Sequence, residues 1–408
     1  MRVLLVHKLW EITGGAEVFF RESERILREA GHETFMVASG PSAEGQPENL
    51  LLLDAPKYDT GSLPSRALQL PSAIYDRAKK ERFEKLIREF RPDVMHVFSL
   101  NVHLSLSPID AAADAGIPIV ASFNDYKHIC PNYKLFADGG PCVACKGRQF
   151  HNAALKRCCK GSLALSVASM LEAQVHARRR LYEKIDHFTF ASDFMARTTQ
   201  DFWPERELSW SKLRNPFDST KFGARDDFEP FALYFGRLIE EKGVDRLLDA
   251  ANAAGGYPIK IIGDGPEEAA LLARAAREGL DNVEFLGPKW GAELEAILAR
   301  AAFAIVPSLW PENYPYAVNQ AFALGRPVIG SDRGGIPEMV EHGVRGLIFE
   351  PDRPGELAAA IRELTDDPAR LRTMGRAAKG WSDALFNDRT ALAGLLHGYE
   401  RASDAARR

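Results

Sequence analysis

The sequence predicts an α/β fold built as two doubly wound halves, and three observations support this prediction. Short apolar runs alternate with helix-length amphipathic segments along nearly the whole chain, which is the pattern of βαβ units with parallel sheets. The runs are apolar without strict alternation, as expected for strands that helices cover on both faces. The 408 residues exceed what one compact core usually organises. We therefore expect two Rossmann-like domains that face each other across a cleft.

The predicted strands form two series. The first series is Val3–Val6, Phe35–Ala38, Val94–Phe98, Ile119–Ser122 and Phe188–Ala191. The second series is Phe231–Phe235, Ile259–Ile262, Val283–Leu286, Phe303–Val306, Val328–Gly330 and Leu347–Phe349. In the first unit, an amphipathic helix over Ala16–Ala30 follows the first strand and stops at Gly31.

A linker rich in Asp, Pro and Gly covers residues 215–230 and separates the two series. We expect an N-terminal domain over residues 1–215 and a C-terminal domain over residues 216–385. Helices are predicted at Leu357–Thr365 and Thr390–Ala402. The last helix, at about residues 386–408, is expected to pack back on the N-terminal domain.

Composition and charge argue against several classes of protein. The 52 Lys and Arg residues against 56 Asp and Glu give a net charge of −4, so the overall charge does not attract nucleic acid. No run approaches the ~18 consecutive apolar residues of a membrane span. The apolar start of the chain turns polar at His7-Lys8, which is too short for a signal peptide. We therefore expect a cytoplasmic protein with no nucleic-acid partner.

The strongest local signal is a loop between a strand and a helix, with Gly236 and Arg237 at its start and Lys242 near its end. Gly236 lets a ligand approach the backbone, and Arg237 offers a planar fork of donors. Lys242 comes just before a helix N-terminus, whose free N–H groups favour anions. The arrangement suits a diphosphate, although the same residues also fit an ordinary βα loop with solvated charges.

A second group follows the strand Phe303–Val306, which should deliver Glu312 at its carboxyl end, where open α/β sheets bind ligands. Asn313 and Tyr314 come next, and eight residues separate Glu312 from Gln320. That spacing is roughly 12 Å in a helix, so the two side chains could touch opposite ends of an extended ligand. Alternatively, Glu312 caps the helix and Gln320 faces solvent.

Glycine turns complete the pattern. Gly334 and Gly335 come before a predicted helix in the second half, and Gly14-Gly15-Ala16-Glu17 follows the first strand of the chain. Both turns could accept an anion, and they could face each other across the cleft. Gly265, in Gly263-Asp264-Gly265-Pro266, indicates only a tight turn. The absence of a full G-x-G-x-x-G after the first strand argues against a simple dinucleotide dehydrogenase.

Together these residues resemble the retaining family 4 glycosyltransferases, which have the GT-B fold, over nearly the whole chain. The matching segments, in chain order, are Gly14-Gly15-Ala16-Glu17, Asn215-Pro216-Phe217-Asp218, Arg237 with Lys242, Glu312, and Gly334-Gly335-Ile336-Pro337-Glu338. The resemblance implies an acceptor-side N-terminal domain and a C-terminal domain that binds a nucleotide diphosphate sugar.

The resemblance also implies roles for individual side chains. Arg237 and Lys242 would hold the diphosphate, and Glu312 would contact the transferred sugar. The acceptor would attack from the front face without a protein nucleophile, and no catalytic metal is implied. The acceptor would be a sugar, a glycan or a lipid-linked molecule in bacterial surface glycan synthesis.

Two positions depart from the family pattern. Gln320 replaces the second carboxylate of the E-x7-E signature, which binds the nucleotide ribose, and its amide oxygen can still accept one such hydrogen bond. Asn124 stands where many relatives carry a His near the transferred sugar. Asn124 and Asp125 remain able to hydrogen-bond sugar hydroxyls.

All five cysteines fall between residues 130 and 159. Cys142 and Cys145 have zinc-ligand spacing, and Cys130 with Cys158 or Cys159 could complete a tetrahedral site. Independent reduced thiols and a redox function are the alternatives.

Local basic runs at Lys156-Arg157 and Arg178-Arg179-Arg180 indicate either peripheral contact with a membrane or solvated helix faces. Two other functions share the predicted architecture. One is a nucleotide-sugar epimerase or phosphorylase of the same fold, and the other is a sugar-binding protein without chemistry.

Overall fold

The computed structural model describes residues 1–41, 45–55 and 63–407. The chain separates into two compact units, each with its own parallel sheet. The first unit comprises Met1–Asp138, Cys142–Pro216 and Asp388–Arg408, and the second comprises Gly139–Pro141 and Phe217–Asn387. Apart from the three-residue stretch Gly139–Pro141, the chain passes from the first unit to the second after Pro216 and returns after Asn387.

The first unit contains a seven-stranded sheet of order β3-β2-β1-β4-β5-β8-β9 among the described residues. Its helices include α1, directly after β1. A separate two-stranded sheet consists of β6 and β7, and β7 falls within the short stretch Gly139–Pro141 that is grouped with the second unit. The bounds are β1 (Arg2–Val6), β2 (Glu33–Ser39), β3 (Leu50–Leu53), β4 (Val94–Val97), β5 (Ile119–Ser122), β6 (Phe136–Ala137), β7 (Gly140–Pro141), β8 (His187–Phe190) and β9 (Trp210–Lys212). The helices are α1 (Gly15–Glu29), α2 (Leu63–Ile74), α3 (Arg77–Phe90), α4 (Asn101–Leu104), α5 (Ser107–Asp114), α6 (His151–Lys156), α7 (Leu163–Arg178) and α8 (Asp193–Phe202).

The central strand β1 explains why the apolar runs do not alternate. It pairs in parallel with β2 on one side and β4 on the other. Its residues Val3, Leu4, Leu5 and Val6 are all 0% exposed, so both faces of the strand are covered. Side chains on successive positions point to opposite faces, and both faces therefore require apolar residues.

The second unit contains a six-stranded parallel sheet of order β12-β11-β10-β13-β14-β15. Its strands are β10 (Ala232–Phe235), β11 (Ile259–Ile262), β12 (Val283–Gly287), β13 (Phe303–Val306), β14 (Val328–Ser331) and β15 (Gly346–Phe349). Its helices are α9 (Val244–Ala253), α10 (Glu268–Glu278), α11 (Gly291–Leu298), α12 (Tyr316–Ala323), α13 (Ile336–Val340), α14 (Glu356–Thr365) and α15 (Pro368–Leu385). All six predicted strands are present, with ends that differ by one residue at most.

The last helix, α16 (Asp388–Ala406), belongs to the first unit and packs on α1, β5, β8 and β9. The buried Tyr399 hydroxyl lies 2.9 Å from Nδ1 of His96, in β4. At the start of the helix, Asp388 accepts a hydrogen bond from Arg25 of α1 at 2.7 Å. Apolar burial and these polar contacts together hold the end of the chain against the first sheet.

Two strands of the first sheet were not predicted from the sequence. β3 (Leu50–Leu53) lies at one edge and pairs with β2, and β9 (Trp210–Lys212) lies at the other and pairs with β8. β9 has only three residues and two of them are polar, so its backbone pairing rather than its side chains defines it. Among the described residues, no helix is long and apolar enough to cross a membrane.

Candidate functional site

The candidate site of the second unit lies at the carboxyl ends of three adjacent strands. β10 is followed by Gly236 and Arg237, β13 by the loop that carries Glu312, and β14 by the turn at Gly334. Because β10, β13 and β14 are neighbours and run in parallel, the three loops emerge at the same edge of the sheet. This edge is where open α/β sheets bind ligands.

An ion pair joins two of these loops. Nζ of Lys242 lies 2.6 Å from Oε1 of Glu312, and the Ser308 hydroxyl donates a hydrogen bond to the same oxygen at 2.7 Å. The Glu312 residue is 5% exposed, whereas the Lys242 side chain keeps 23% exposure. Lys242 also lies over the Trp310 ring, 5.7 Å from its centroid. The Lys242 ammonium group is thus held by the buried Glu312 carboxylate, and its remaining exposure leaves it accessible to a ligand.

The environment of Glu312 keeps its carboxyl ionised. Burial, the largest single influence, would raise the pKa of Glu312, but the charge of Lys242 opposes it. Together with the hydrogen bonds from Lys242 and Ser308, that charge lowers the pKa below its usual value. Glu312 is therefore an anion at neutral pH and does not serve as a proton donor.

Glycines allow the three loops to touch. Gly334 has a φ of 63°, and a Cβ there would lie 2.0 Å from the carbonyl oxygen of Glu312. The neighbouring Gly335 N–H donates to that same oxygen at 2.7 Å. A Cβ on Gly243, whose φ is 70°, would lie 2.1 Å from the carbonyl oxygen of Pro307. Only glycine fits at both positions, so the loop around Glu312 is fixed from two sides.

The loops after β10 and β11 are packed in the same way. Leu238 N–H donates to the Asp264 carbonyl at 2.7 Å, and a Cβ on Gly265 would lie 2.3 Å from the carbonyl oxygen of Leu238. Gly236 is exposed, and the nearby Tyr234 hydroxyl donates to the Arg237 carbonyl at 2.8 Å. Gly236 and Gly265 therefore allow the close backbone packing that positions Arg237.

The remaining predicted donor-side residues differ in exposure. The exposed Arg237 guanidinium makes no hydrogen bond or ion pair with another described residue, and the half-buried Gln320 of α12 makes no side-chain hydrogen bond with one either. Asn313 and Tyr314 are each 5% exposed, and the Tyr314 ring stacks on Phe386 at 6.0 Å. Arg237 and Gln320 are thus the side chains that a ligand could engage without breaking a contact.

A separate polar cluster lies in the first unit, at the carboxyl ends of β1, β4 and β5. Glu17 of α1 lies 3.1 Å from the His7 ring at Nε2, and the Thr13 hydroxyl donates to Glu17 at 3.3 Å. Gly14 is the N-cap of α1 and is exposed, and Gly15 is the first residue of that helix. Glu17, which the sequence predicted as a binding residue, is therefore buried, and its contacts with His7 and Thr13 hold the glycine loop in place.

The protonation state of His7 follows from its partners. Burial lowers the pKa of His7 despite the neighbouring Glu17, so the ring is neutral at pH 7. Its Nδ1 accepts a hydrogen bond from the Ser99 backbone N–H at 3.3 Å. The single ring proton is consequently on Nε2 and is donated to Glu17.

Asn124 and Asp125 follow β5 at the same edge of the sheet. Asp125 lies 3.8 Å from Nζ of Lys8 and accepts a hydrogen bond from the Lys127 backbone N–H at 3.0 Å. The Asn124 amide nitrogen is buried and has no hydrogen-bond partner among the described residues.

The sequence did not predict a role in the site for four residues, namely His7, Lys8, Ser308 and Trp310. The one sequence feature that could have indicated such a role is position, because His7 and Lys8 follow the predicted strand Val3–Val6, and Ser308 and Trp310 follow the predicted strand Phe303–Val306.

The cysteines predicted as zinc ligands are all in the first unit. Cys130, Cys142, Cys145 and Cys158 line one small cavity, and Cys159 is not among its lining residues. No three His, Cys, Asp or Glu side chains in the described part of the chain are arranged to hold a metal ion.

The fold is shared with solved glycosyltransferase structures. HepE from Anabaena, solved in complex with UDP, aligns with a TM-score of 0.69 over 97% of this chain and 99% of that one, at 19% identity. Sucrose-phosphate synthase from Thermosynechococcus elongatus aligns with a TM-score of 0.73 over 99% and 100% of the two chains, at 18% identity. The protein is therefore of the two-domain GT-B class, as predicted.

Sequence comparisons specify the family. Residues 14–207 match the glycosyl transferase 4-like domain, and residues 218–381 match the glycosyl transferases group 1. The GDP-mannose-dependent alpha-(1-6)-phosphatidylinositol monomannoside mannosyltransferase of Mycobacterium tuberculosis is 30% identical over 263 residues, which are 59% of this chain and 68% of that protein. The chain belongs to the glycosyltransferase family in which the glycosyl transferase 4-like domain is followed by the glycosyl transferases group 1 domain.

Other curated relatives match over shorter stretches. The D-rhamnosyltransferase WbpZ of Pseudomonas aeruginosa is 35% identical over 158 residues, which are 38% of this chain and 41% of that protein. The chain spans about half the length, or less, of several such relatives.

Proposed function

We propose that this protein transfers a hexose-type sugar from a nucleotide diphosphate donor to a glycan, lipid-linked or small-molecule acceptor, in bacterial surface glycan synthesis. The observation that carries the proposal is the Lys242–Glu312 pair beside the uncommitted Arg237 guanidinium. Two cations at the carboxyl edge of a parallel sheet suit a diphosphate. The UDP complex of HepE, a protein of the same fold, supports a nucleotide donor.

The two cations have different parts in this proposal. An ammonium group has three donors, so Lys242 can bind a phosphate oxygen while it remains paired with Glu312. Arg237 has no competing partner in the described chain and offers a bidentate fork to the other phosphate. Both would stabilise the negative charge that develops on the departing diphosphate.

Glu312 and Gln320 would hold the two ends of the donor. We place the transferred sugar at Glu312, where the carboxylate oxygen that is not bound by Lys242 and Ser308 can accept from a sugar hydroxyl. We place the ribose at Gln320, whose amide is free to hydrogen-bond it. The glycine turn at Gly334 and Gly335 fixes the Glu312 backbone and would hold that carboxylate in place.

We propose transfer with retention of anomeric configuration and without a catalytic metal. The bond from the anomeric carbon to the diphosphate oxygen breaks, and the bond from that carbon to the acceptor oxygen forms on the same face. The acceptor proton passes to the leaving phosphate oxygen. The ionised Glu312, held by Lys242 and Ser308, then positions the sugar and neither gives nor takes a proton.

The acceptor side of the reaction is proposed for the first unit. Asn124 has a buried amide nitrogen without a partner among the described residues, and Asp125 is held by Lys8 and by the backbone of Lys127. Both side chains can hydrogen-bond acceptor hydroxyls. The exposed Gly14, with Gly15, would let a ligand approach the N-terminus of α1, while Glu17 braces the loop from within.

We place the reaction in the cytoplasm, with peripheral contact at the inner membrane face when the acceptor is lipid-linked. Several of the basic residues considered for that contact are already paired within the first unit. Arg179 binds Asp110 at 3.0 Å and Lys156 binds Asp138 at 2.6 Å. Arg157 and Arg178 are exposed and remain for such a surface.

Incubation of the purified protein with UDP-, GDP-, ADP- and dTDP-sugars, followed by measurement of nucleoside diphosphate release, tests the proposal. We expect release from one donor, faster with an acceptor, with an NMR spectrum of the product that keeps the donor's anomeric configuration and with full activity in EDTA. Isomerised donor sugar without release would indicate an epimerase. Phosphate-dependent cleavage would indicate a phosphorylase, and tight binding without turnover would indicate a sugar-binding protein. The relatives named above are transferases, which favours transfer.

A further inference from the structure

A cavity of about 350 Å³ lies within the first unit, beside the loop that we propose for the acceptor. Lys127 and His128 form part of its wall, and the backbone N–H of Lys127 donates to Asp125 at 3.0 Å. Other parts of the wall come from α7, from the turn after α7 and from the segment after α8. The volume is in the range of sites that bind small molecules.

One side of the cavity is a wall of aromatic rings. The Trp203 ring centroid lies 5.6 Å from that of His128 and 5.9 Å from that of Tyr182, and the His176 ring meets Tyr182 edge-on at 6.1 Å. Burial lowers the pKa of both histidines, that of His128 to about 3, so both rings are neutral at pH 7. An uncharged aromatic wall suits the apolar face of another ring.

The cations that line the cavity already have partners. Nζ of Lys127 lies 2.6 Å from Oε2 of Glu172, and the two side chains are only 9% and 6% exposed. The three lining arginines are also engaged: Arg148 with Glu205, Arg180 with Glu183, and Arg206 with the backbone carbonyls of Tyr182 and Ile185. A phosphate would have to compete with these contacts, whereas an uncharged ligand would leave them intact.

Two polar groups of the lining lack a partner in the described part of the chain. Glu172 is 4% exposed, and its second oxygen, Oε1, is buried without a hydrogen bond. Buried carboxylate oxygens are rarely left unpaired, so a ligand that donates a hydrogen bond would complete this one. The hydroxyl of the half-buried Tyr182 also makes no hydrogen bond with another described residue. Both groups therefore favour a ligand that carries hydroxyls.

We propose that this cavity binds an uncharged, hydroxylated ring of the acceptor, a pyranose or a cyclitol. The apolar face of the ring packs on Trp203, one hydroxyl donates to Oε1 of Glu172, and another bonds with the Tyr182 hydroxyl. The inference rests on the proposed function, because Asp125 in the adjoining loop is assigned there to the acceptor. It narrows the acceptor to a molecule that the first unit recognises by a neutral ring rather than by a phosphate.

Binding of free rings gives the first test. Saturation-transfer NMR and calorimetry are carried out with glucose, mannose, galactose, rhamnose and myo-inositol, and with the 6-phosphates of the three hexoses as charged counterparts. We expect at least one neutral ring to bind, and more tightly than any of the phosphates. Absence of binding by every neutral ring would overturn the proposal, and so would tighter binding of the phosphates.

Two variants assign that binding to the cavity. Tyr182→Phe removes only the hydroxyl and should weaken binding of the ring about 3- to 10-fold, and Trp203→Ala should weaken it about 10-fold or more. The matched controls are Tyr133→Phe and Trp210→Ala, since both side chains are exposed and neither lines the cavity. Unchanged affinity in Tyr182→Phe and Trp203→Ala would place the ring elsewhere. If Trp203→Ala does not fold, Tyr182→Phe decides the matter, because its hydroxyl has no partner to lose among the described residues.

Kinetics separate this inference from the proposed function. With an active donor and acceptor pair, Tyr182→Phe should raise the acceptor KM about 3- to 10-fold and leave the donor KM unchanged. Transfer with an unchanged acceptor KM in Tyr182→Phe and Trp203→Ala would contradict the cavity assignment alone. Ring binding that depends on Tyr182 and Trp203, in a protein that releases no nucleoside diphosphate from any donor, would support the ring site and contradict the proposed transfer.

Discussion

Lys242 and Glu312 are 70 residues apart in sequence, yet Nζ of the lysine lies 2.6 Å from Oε1 of the glutamate at the edge of the second sheet. The pair connects the loop after β10 with the loop after β13. It orients the cation that we assign to the donor diphosphate, and it keeps a buried carboxylate ionised where the sugar is expected.

Arg237→Ala should reduce turnover by about 100-fold, as expected when a charge-stabilising donor is lost. The thermal midpoint should change little, because the guanidinium is exposed and makes no hydrogen bond or ion pair with another described residue. Steady-state kinetics and thermal unfolding check both parts. Arg246→Ala is the matched control, since Arg246 is an exposed cation of α9 that pairs with Asp249, and its loss should leave turnover intact. Unchanged activity in folded Arg237→Ala would refute the diphosphate assignment.

Lys242→Ala should likewise reduce turnover by about 100-fold, but it should also destabilise the protein. Removal of the ammonium leaves the Glu312 carboxylate buried without its cation, a change that is costly in a protein interior. Denaturant unfolding should therefore separate Lys242→Ala from Arg237→Ala. Equal stability of the two variants would mean that Glu312 does not depend on Lys242.

The pH dependence of stability should reveal the ionised state of Glu312. Its pKa is lowered in the folded protein, so its charged form stabilises the fold above the unfolded pKa, about 4.3. That contribution is lost as the pH falls through the still lower folded pKa. The difference in free energy of unfolding between the wild type and Glu312→Gln should hence be constant above about pH 5.5 and shrink below about pH 4. A difference that grows on acidification would indicate a raised pKa instead.

Gln320→Leu should raise the donor KM, because ribose hydroxyls that face an apolar group lose roughly 1–3 kcal/mol of hydrogen bonding. Gln320→Glu should keep or tighten nucleotide binding. Calorimetry with the matching nucleoside diphosphate measures both variants. Unchanged affinity in Gln320→Leu would show that this side chain does not touch the ribose.

Gly334→Ala should impair both stability and donor binding, because the new Cβ would lie 2.0 Å from the carbonyl oxygen of Glu312. Gly343→Ala is a suitable control, since Gly343 has a similar positive φ of 82° and a Cβ added there would have nothing within 4 Å. The control should cost only the backbone strain, about 1 kcal/mol, with donor affinity unchanged. Comparable effects of the two substitutions on donor affinity would argue against a role for the turn.

The sequence by itself determined the eleven strands predicted in the two series, all of which the structure contains, and the loops that carry the site. Parallel strands covered on both faces need continuous apolar runs, and such runs are visible without any tertiary information. The strand at Phe303–Val306 and the position of Glu312 after it could be predicted in this way. Edge strand β9 could not, because backbone pairing with β8 defines it and its side chains are mostly polar.

Only the tertiary structure decided which side chains meet. Glu312 looked equally suited to cap a helix, but adjacent strands β10 and β13 place it against Lys242, and Ser308 completes the contact. Packing also decides that Glu17 is buried against His7 and that four cysteines line one cavity. The local sequence determines which positions along each strand or helix are buried. The distance between two loops depends on strand order and on glycines such as Gly334, which permit backbones to touch.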